Sequence, residues 1–183
     1  MEKVYPDIHK DIIELSRKGD SRAQYELYRL YSKAMFNICF RMMNSREEAE
    51  DMLQEAFGEA FTRLSSFRYE SSFGAWLKQI TVNKCINELK RKKANLMAFE
   101  DMGMFDEAVE EKEEKDLTYE VNKVRAAMEK LSDGYRVIFS LYLLEGYDHT
   151  EISEIMGISE STSKTQYLRA KNKIREILSS EKI

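Results

Sequence analysis

The sequence predicts an all-α protein of two small helical domains joined by an acidic linker, and three observations carry that prediction. One Pro and seven Gly in 183 residues are too few for a sandwich or barrel, which needs turn residues roughly every 8–12 positions. Apolar residues recur instead at three- and four-residue steps, the period of an amphipathic helix. Residues 100–120 form a dense acidic run that resists compaction. With 43% hydrophobic and 34% charged residues, the chain has apolar material for real cores and is neither fibrous nor disordered throughout.

The first stripe that the periodicity picks out is Ala23, Leu27, Leu30, Tyr31, Ala34 and Ile38. Ser45 with Glu48 three residues on has the form of a capping box. The helix it starts carries Ala49, Met52, Leu53, Ala56, Phe57, Ala60, Phe61 and Leu64 on one face. Ser71-Ser72 is the cap expected for a third helix bearing Phe73, Trp76, Leu77, Ile80, Ile86 and Leu89, which runs into Lys90-Arg91-Lys92-Lys93. Beyond the acidic run, Val121 to Lys130 reads as helix and Leu131 to Gly134 as a break. Val137, Ile138, Leu141 and Leu144 form the next buried stripe, ended by Gly146. A short helix around Glu151 to Met156, a turn at Gly157-Ile158-Ser159 and a helix from Glu160 to Leu178 follow. The expected domains are 1–99 and 121–183, with 100–120 as the linker.

Charge follows the same partition. The net formal charge of −4 resolves into +3 over 1–99, −8 over 100–120 and +1 over 121–183, so an acidic total does not exclude nucleic acid as a partner. The longest charge-free run, Val137 to Leu144, is eight residues, far below the roughly 20 that span a bilayer. The N-terminal stretch MEKVYPDIHKDIIEL has neither the apolar run nor the small-residue site of an export signal. A cytoplasmic protein without membrane insertion is expected.

Cys39 and Cys85 both lie in apolar-periodic stretches, and His9 and His149 are the only histidines, which comes close to excluding a four-ligand zinc site. No metal, cofactor or catalytic residue is assigned. Both Cys read first as small buried hydrophobes, with a redox switch as the alternative. Glu47, Asp51, Glu55 and Glu59 share one helix face at i, i+4 spacing. Such a row meets a basic partner, is merely solvated, or gathers Mg²⁺ in a helical pyrophosphohydrolase.

His149 to Lys173 has the spacing of a DNA-reading helix-turn-helix: Ile152, Ile155 and Ile158 inside, Gly157 at the turn and Ser159 as cap. Its second helix presents Thr162, Lys164, Thr165, Gln166, Arg169 and Lys171, short polar and amide groups early for base edges and cations later for phosphates. An ordinary antiparallel helix pair with a solvated basic face is the alternative. Between Phe67 and Lys93, aromatic and basic residues are interleaved as in proteins that hold unstacked bases. Phe73, Trp76 and Leu77 read as core there, and Arg68, Lys78, Asn83, Lys84 and Asn87 as contact residues.

The blocks REEAEDMLQEAFGEAFTRLSSF, SSFGAWLKQITVNKCINELKRKK and YRVIFSLYLLEGYDHTEISEIMGISESTSKTQYLRAKNKIREIL resemble a bacterial RNA polymerase sigma factor of the extracytoplasmic-function type. The resemblance implies a non-enzymatic factor that binds core RNA polymerase and directs promoter-specific initiation. It implies a sigma-two domain that holds the clamp coiled coil of the largest subunit through Glu50, Asp51, Gln54 and Glu55. That domain would open the minus-ten element with Arg68, Tyr69 and Ser71 around a flipped base and with Lys78, Asn83, Lys84 and Asn87 on the separating strands. A sigma-four domain would bind the flap of the second-largest subunit and read the minus-thirty-five element with Thr162, Lys164, Thr165, Gln166, Arg169 and Lys171. The linker would thread the polymerase cleft, and an anti-sigma factor is a candidate partner. Two departures stand out: Ser163 replaces an apolar packing residue of the family's recognition helices, and Gln166 an arginine. A self-standing helix-turn-helix regulator is the competing function.

Overall fold

Short polar side chains set where most helices of this chain begin. The computed structural model describes residues 8–96 and 121–180, and every α-helix named below lies within them. Helix α1 spans Lys10–Arg17, and α2, Ser21–Met43, starts where Asp20 accepts from the Arg22 and Ala23 amides at 2.8 and 3.0 Å. Ser45 caps α3, Arg46–Thr62, through the Glu48 amide at 3.4 Å. Ser72 caps α4, Phe73–Leu96, through the Ala75 amide at 3.2 Å. Helices α5 (Val121–Glu129) and α6 (Asp133–Phe139) precede α7 (His149–Met156), which opens with a reciprocal capping box between Asp148 and Glu151. Ser159 caps α8, Glu160–Ser180, through the Thr162 amide at 3.1 Å.

The chain divides into two compact units, Met1–Leu89 and Lys90–Ile183. The acidic linker lies outside the described residues, as do the expected domain boundaries. In the first unit, α1 and α3 pack against α2, and a 3₁₀ turn at Leu64–Ser66 leads through residues 67–72 into α4. Ile13, Leu27, Met42, Leu64, Phe73, Leu77 and Val82 are almost wholly buried, each contributing about 2 kcal/mol of apolar burial. The α3 stripe is buried as expected except for half-exposed Phe61, whereas the α2 stripe is rotated: Leu30 and Ala34 face solvent. The buried row there is Ala23, Leu27, Met35, Ile38, Cys39, Met42 and Met43, because α2 must meet both α1 and α3. Cys39 and Cys85 are both fully buried. The Cys39 sulfur beside it, with burial, pushes the Cys85 thiol far above the ordinary range, which disfavours the Cys85 thiolate.

The second unit packs α5, α6 and α7 against α8. Ala127, Met128, Leu131, Phe139, Ala170, Ile174 and Leu178 form a core cluster. One expectation fails here: Leu144 is 47% exposed rather than buried. Ser140–Leu144 is a π-type turn, closed by the Glu145 amide on the Ser140 carbonyl at 3.0 Å. The extra residue shifts the helical register, so Leu141 stays inside while Leu144 swings outward to join exposed Tyr142 and Leu143. Ile155 and Ile158 are likewise only half-buried, and Ile152 alone of the three is fully inside.

Candidate nucleic-acid interface

Three surfaces hold the residues that the sequence singles out. On α3, Glu50, Asp51, Gln54 and Glu55 are all exposed, two i, i+4 pairs on one face. Glu50 pairs with Arg46 at 2.9 Å, and a groove of about 370 Å³ between α2 and α3 is lined by Tyr28, Phe36, Leu53, Glu50 and Gln54. The acidic row does not converge on a point. Glu59 spends its carboxylate on Lys84 at 3.0 Å and Arg63 at 2.7 Å, and these partners hold it below the usual carboxylate range. Among the described residues no three His, Cys, Asp or Glu side chains gather as metal ligands.

Residues 67–72 form the second surface. Phe67 is buried, with Trp76, Phe73 and Tyr69 rings 5.2, 5.9 and 4.7 Å from its own, so the loop is anchored by an aromatic bed of which the sequence assigned Phe73 and Trp76 to core. Arg68 is exposed beside it. Tyr69 adopts φ 58°, a left-handed conformation that costs a non-glycine residue about 1–2 kcal/mol. Its hydroxyl donates to Glu14 Oε1 at 2.7 Å. The Ser71 hydroxyl donates weakly to the Ser72 carbonyl at 3.4 Å.

Helix α4 does not bring its four candidates together. At about 100° per residue, Asn83 and Asn87 share one face while Lys78 points to the opposite side. Asn83 and Asn87 are exposed, whereas Lys78 and Lys84 are half-buried. Lys84 turns toward α3, and its hydrogen bond to Glu59 raises its pKa. The exposed row is Ala75, Gln79, Asn83 and Asn87, so Gln79 is a contact candidate that sequence reading missed. Its i, i+4 spacing to Asn83 was the available signal.

On the third surface, the αL conformation of Gly157, φ 71°, closes α7 and turns the chain into α8. The buried face of α8 is Ser163, Ala170, Ile174 and Leu178. Thr162, Thr165 and Arg169 fall on the side opposite that face. Lys164 and Lys171 lie on one flank, Lys164 paired with Glu160, and Gln166 lies on the other, its Oε1 close to Gly134 of α6. Ser163, an oddity in the sequence, has a local explanation: it is fully buried and its hydroxyl meets His149 Nδ1 at 2.9 Å. The His149 ring stacks on Tyr142 at 4.4 Å. Burial and the Lys164 charge lower the His149 pKa, against Glu160 and Asp148.

Comparison with known proteins agrees with this arrangement of elements. The Sigma-70 region 2 family matches residues 27–95, from within α2 to α4, and the Sigma-70, region 4 family matches residues 122–174, from α5 into α8. The ECF RNA polymerase sigma factor SigW of Bacillus subtilis is 30% identical over 179 residues, covering 92% of this chain and 96% of the relative. The RNA polymerase sigma-H factor of Pseudomonas aeruginosa is 27% identical, covering 92% and 93%. Two solved structures share the fold: the sigma factor RpoE in complex with the anti-sigma factor NepR from Bartonella quintana, with TM-score 0.56 and 22% identity over 85% of this chain and 96% of that one; and CnrH in complex with the cytosolic domain of CnrY, with TM-score 0.55 and 21% identity over 95% and 99%. With two sigma regions in order and a relative matched over nearly its whole length, the chain belongs to the ECF RNA polymerase sigma factors, non-enzymatic proteins of promoter-specific transcription initiation.

Proposed function

We propose that the first unit binds the clamp coiled coil of the largest polymerase subunit through Glu50, Asp51, Gln54 and Glu55, and opens minus-ten DNA with the 67–72 loop and α4. In the same proposal the second unit reads the minus-thirty-five element with α8. The observation that carries the reading is the composition of the exposed side of α4. Among its described side chains, Ala75, Gln79, Asn83, Asn87, Lys90, Arg91 and Lys93 are exposed, and none is acidic. A merely solvated face in a chain with 33 Asp and Glu would carry some. Amides suit base edges, and the terminal cations suit phosphates. Arg68 and Ser71 would meet a flipped base, whose unstacking costs a few kcal/mol that capture must offset. On α8, Thr162, Thr165 and Arg169 are the central groove contacts, with Lys164 and Lys171 toward phosphates and Gln166 at the edge of the footprint.

The exposed apolar ridge Tyr142, Leu143 and Leu144 is the surface the second unit offers to a protein, which we assign to the flap of the second-largest subunit. An anti-sigma factor would cover the acidic face of α3 and its groove. The acidic linker would occupy the cleft, and the site of action would be the cytoplasm. No described helix is long and apolar enough to cross a membrane.

The test is a gel shift on promoter DNA with and without core polymerase, followed by run-off transcription from a promoter library. Binding and transcripts are expected only with core enzyme. Tight sequence-specific binding by the chain alone would establish the self-standing regulator instead.

A further inference from the structure

Helix α1 lies ahead of the residues that the region 2 family matches, yet it is tied to the loop before α4 by contacts spanning 47 to 55 residues. The Arg17 guanidinium points in three directions at once. Nε donates to the Leu64 carbonyl at 3.2 Å, one terminal nitrogen to the Phe67 carbonyl at 2.7 Å, and the other to Glu14 Oε1 at 2.8 Å. That same Glu14 oxygen accepts the Tyr69 hydroxyl at 2.7 Å. The Tyr69 ring is boxed between Phe67, 4.7 Å away, and the cations of Lys10 and Arg17, each 5.6 Å from its centroid. A ring so enclosed has little face left on which to stack a base. The residues on either side of it, Arg68 and Glu70, are exposed.

We propose that Arg17 and Glu14 are positioning residues for minus-ten reading: they hold the main chain at Leu64 and Phe67 and the hydroxyl of Tyr69, so that the left-handed turn at Tyr69 aims Arg68 outward before DNA arrives. The proposal rests on the reading of residues 67–72 as the base-capturing loop. Tyr69 then serves as the bolt of a latch between α1 and the loop, and the base is met by its neighbours. Only a planar fork can satisfy two carbonyls and a carboxylate together; a lysine ammonium here would reach one of them.

The experiment uses the full chain and its holoenzyme with Arg17→Ala, Arg17→Lys and Tyr69→Phe, the last removing only the hydroxyl and leaving the aromatic bed intact. Loop order is read in the free protein by amide exchange of residues 65–71 and by the emission of Trp76, the sole tryptophan, whose ring is 5.2 Å from that of Phe67. Promoter opening is read by 2-aminopurine placed in the minus-ten region of a promoter that the wild-type holoenzyme selects from a randomised pool. Faster loop exchange is expected in all three variants. Opening should slow about tenfold in Arg17→Ala, the scale of one lost charge-assisted hydrogen bond, without rescue by Arg17→Lys. Discrimination against substitutions at the flipped base should shrink while core affinity is unchanged. Unaltered exchange in Arg17→Ala and Tyr69→Phe would overturn the latch itself. A loosened loop with wild-type opening and discrimination would overturn the proposal by showing that the loop does not capture the base.

Discussion

Removing the Ser163 hydroxyl probes a buried polar contact between α7 and α8. In Ser163→Ala the lost partner is His149 Nδ1, on a half-exposed ring that water can reach, so the cost is one ordinary hydrogen bond, about 1 kcal/mol. His149→Ala costs more. It forfeits the stack on Tyr142 and leaves the fully buried Ser163 oxygen without its imidazole, together about 2–4 kcal/mol. The double variant should fall short of the sum by about 1 kcal/mol, the coupling between the two groups. Trp76, the sole tryptophan, belongs to the other unit and is not part of the α7–α8 contact. Amide exchange of α7 and α8 is the assay, with about fivefold faster exchange expected for Ser163→Ala. The same pair sets a pH dependence. Burial lowers the folded His149 pKa, so the unfolded chain binds the proton first; α7–α8 stability is complete above the unfolded value of about 6.5 and declines as pH falls below it. Strictly additive costs, or a stability that rises on acidification through this range in wild type but not in His149→Ala, would refute the reasoning.

Charge reversal on α3, Asp51→Lys with Glu55→Lys, should weaken core-polymerase binding at least tenfold and flatten its salt dependence while leaving helix content unchanged, measured by competition for core enzyme. Arg169→Ala should relax preference at one base pair and cost about 1–3 kcal/mol, whereas Lys171→Ala should weaken all promoters alike and reduce the slope of log K against log salt by about 0.9, both read by holoenzyme titration. Because Gln166 leans toward α6, Gln166→Ala should alter base preference less than Arg169→Ala in a selection experiment. Gly157→Ala should destabilise the α7–α8 pair by about 1 kcal/mol, since φ 71° strains any residue with a Cβ, and calorimetry would register it.

The helices that could be read from the sequence were those with polar caps and a long apolar period. Ser45, Ser72 and Ser159 each mark a start, and Gly157 marks the turn between α7 and α8. Helix α1 gave no such sign. It has eight residues, the His9 side chain does not cap its first turn, and of its apolar residues only Ile13 is fully buried, so partners far along the chain hold it. The rotation of the α2 stripe was equally hidden, because a helix buried on two sides has no single apolar face to read. At the site, residue type was legible and orientation was not. Lys84 is basic and near the loop in sequence, but Glu59 claims it. Gln79 carries no charge and drew no notice, although it completes the exposed amide row of α4. The role of Ser163 needed the position of His149 fourteen residues away.

A single surplus residue between Ser140 and Leu144 lets one continuous apolar word, SLYLL, serve two masters. In regular α-helix Leu141 and Leu144 would share the inward face, and Leu143, about 200° around from Leu141, would stand outside almost alone. The slipped frame sends Leu141 inward and sets Leu143 and Leu144 on the outside, adjoining the segment that enters α7. Excising one residue there would restore the ordinary pitch and draw Leu144 back toward the interior, leaving Leu143 outside without its neighbour.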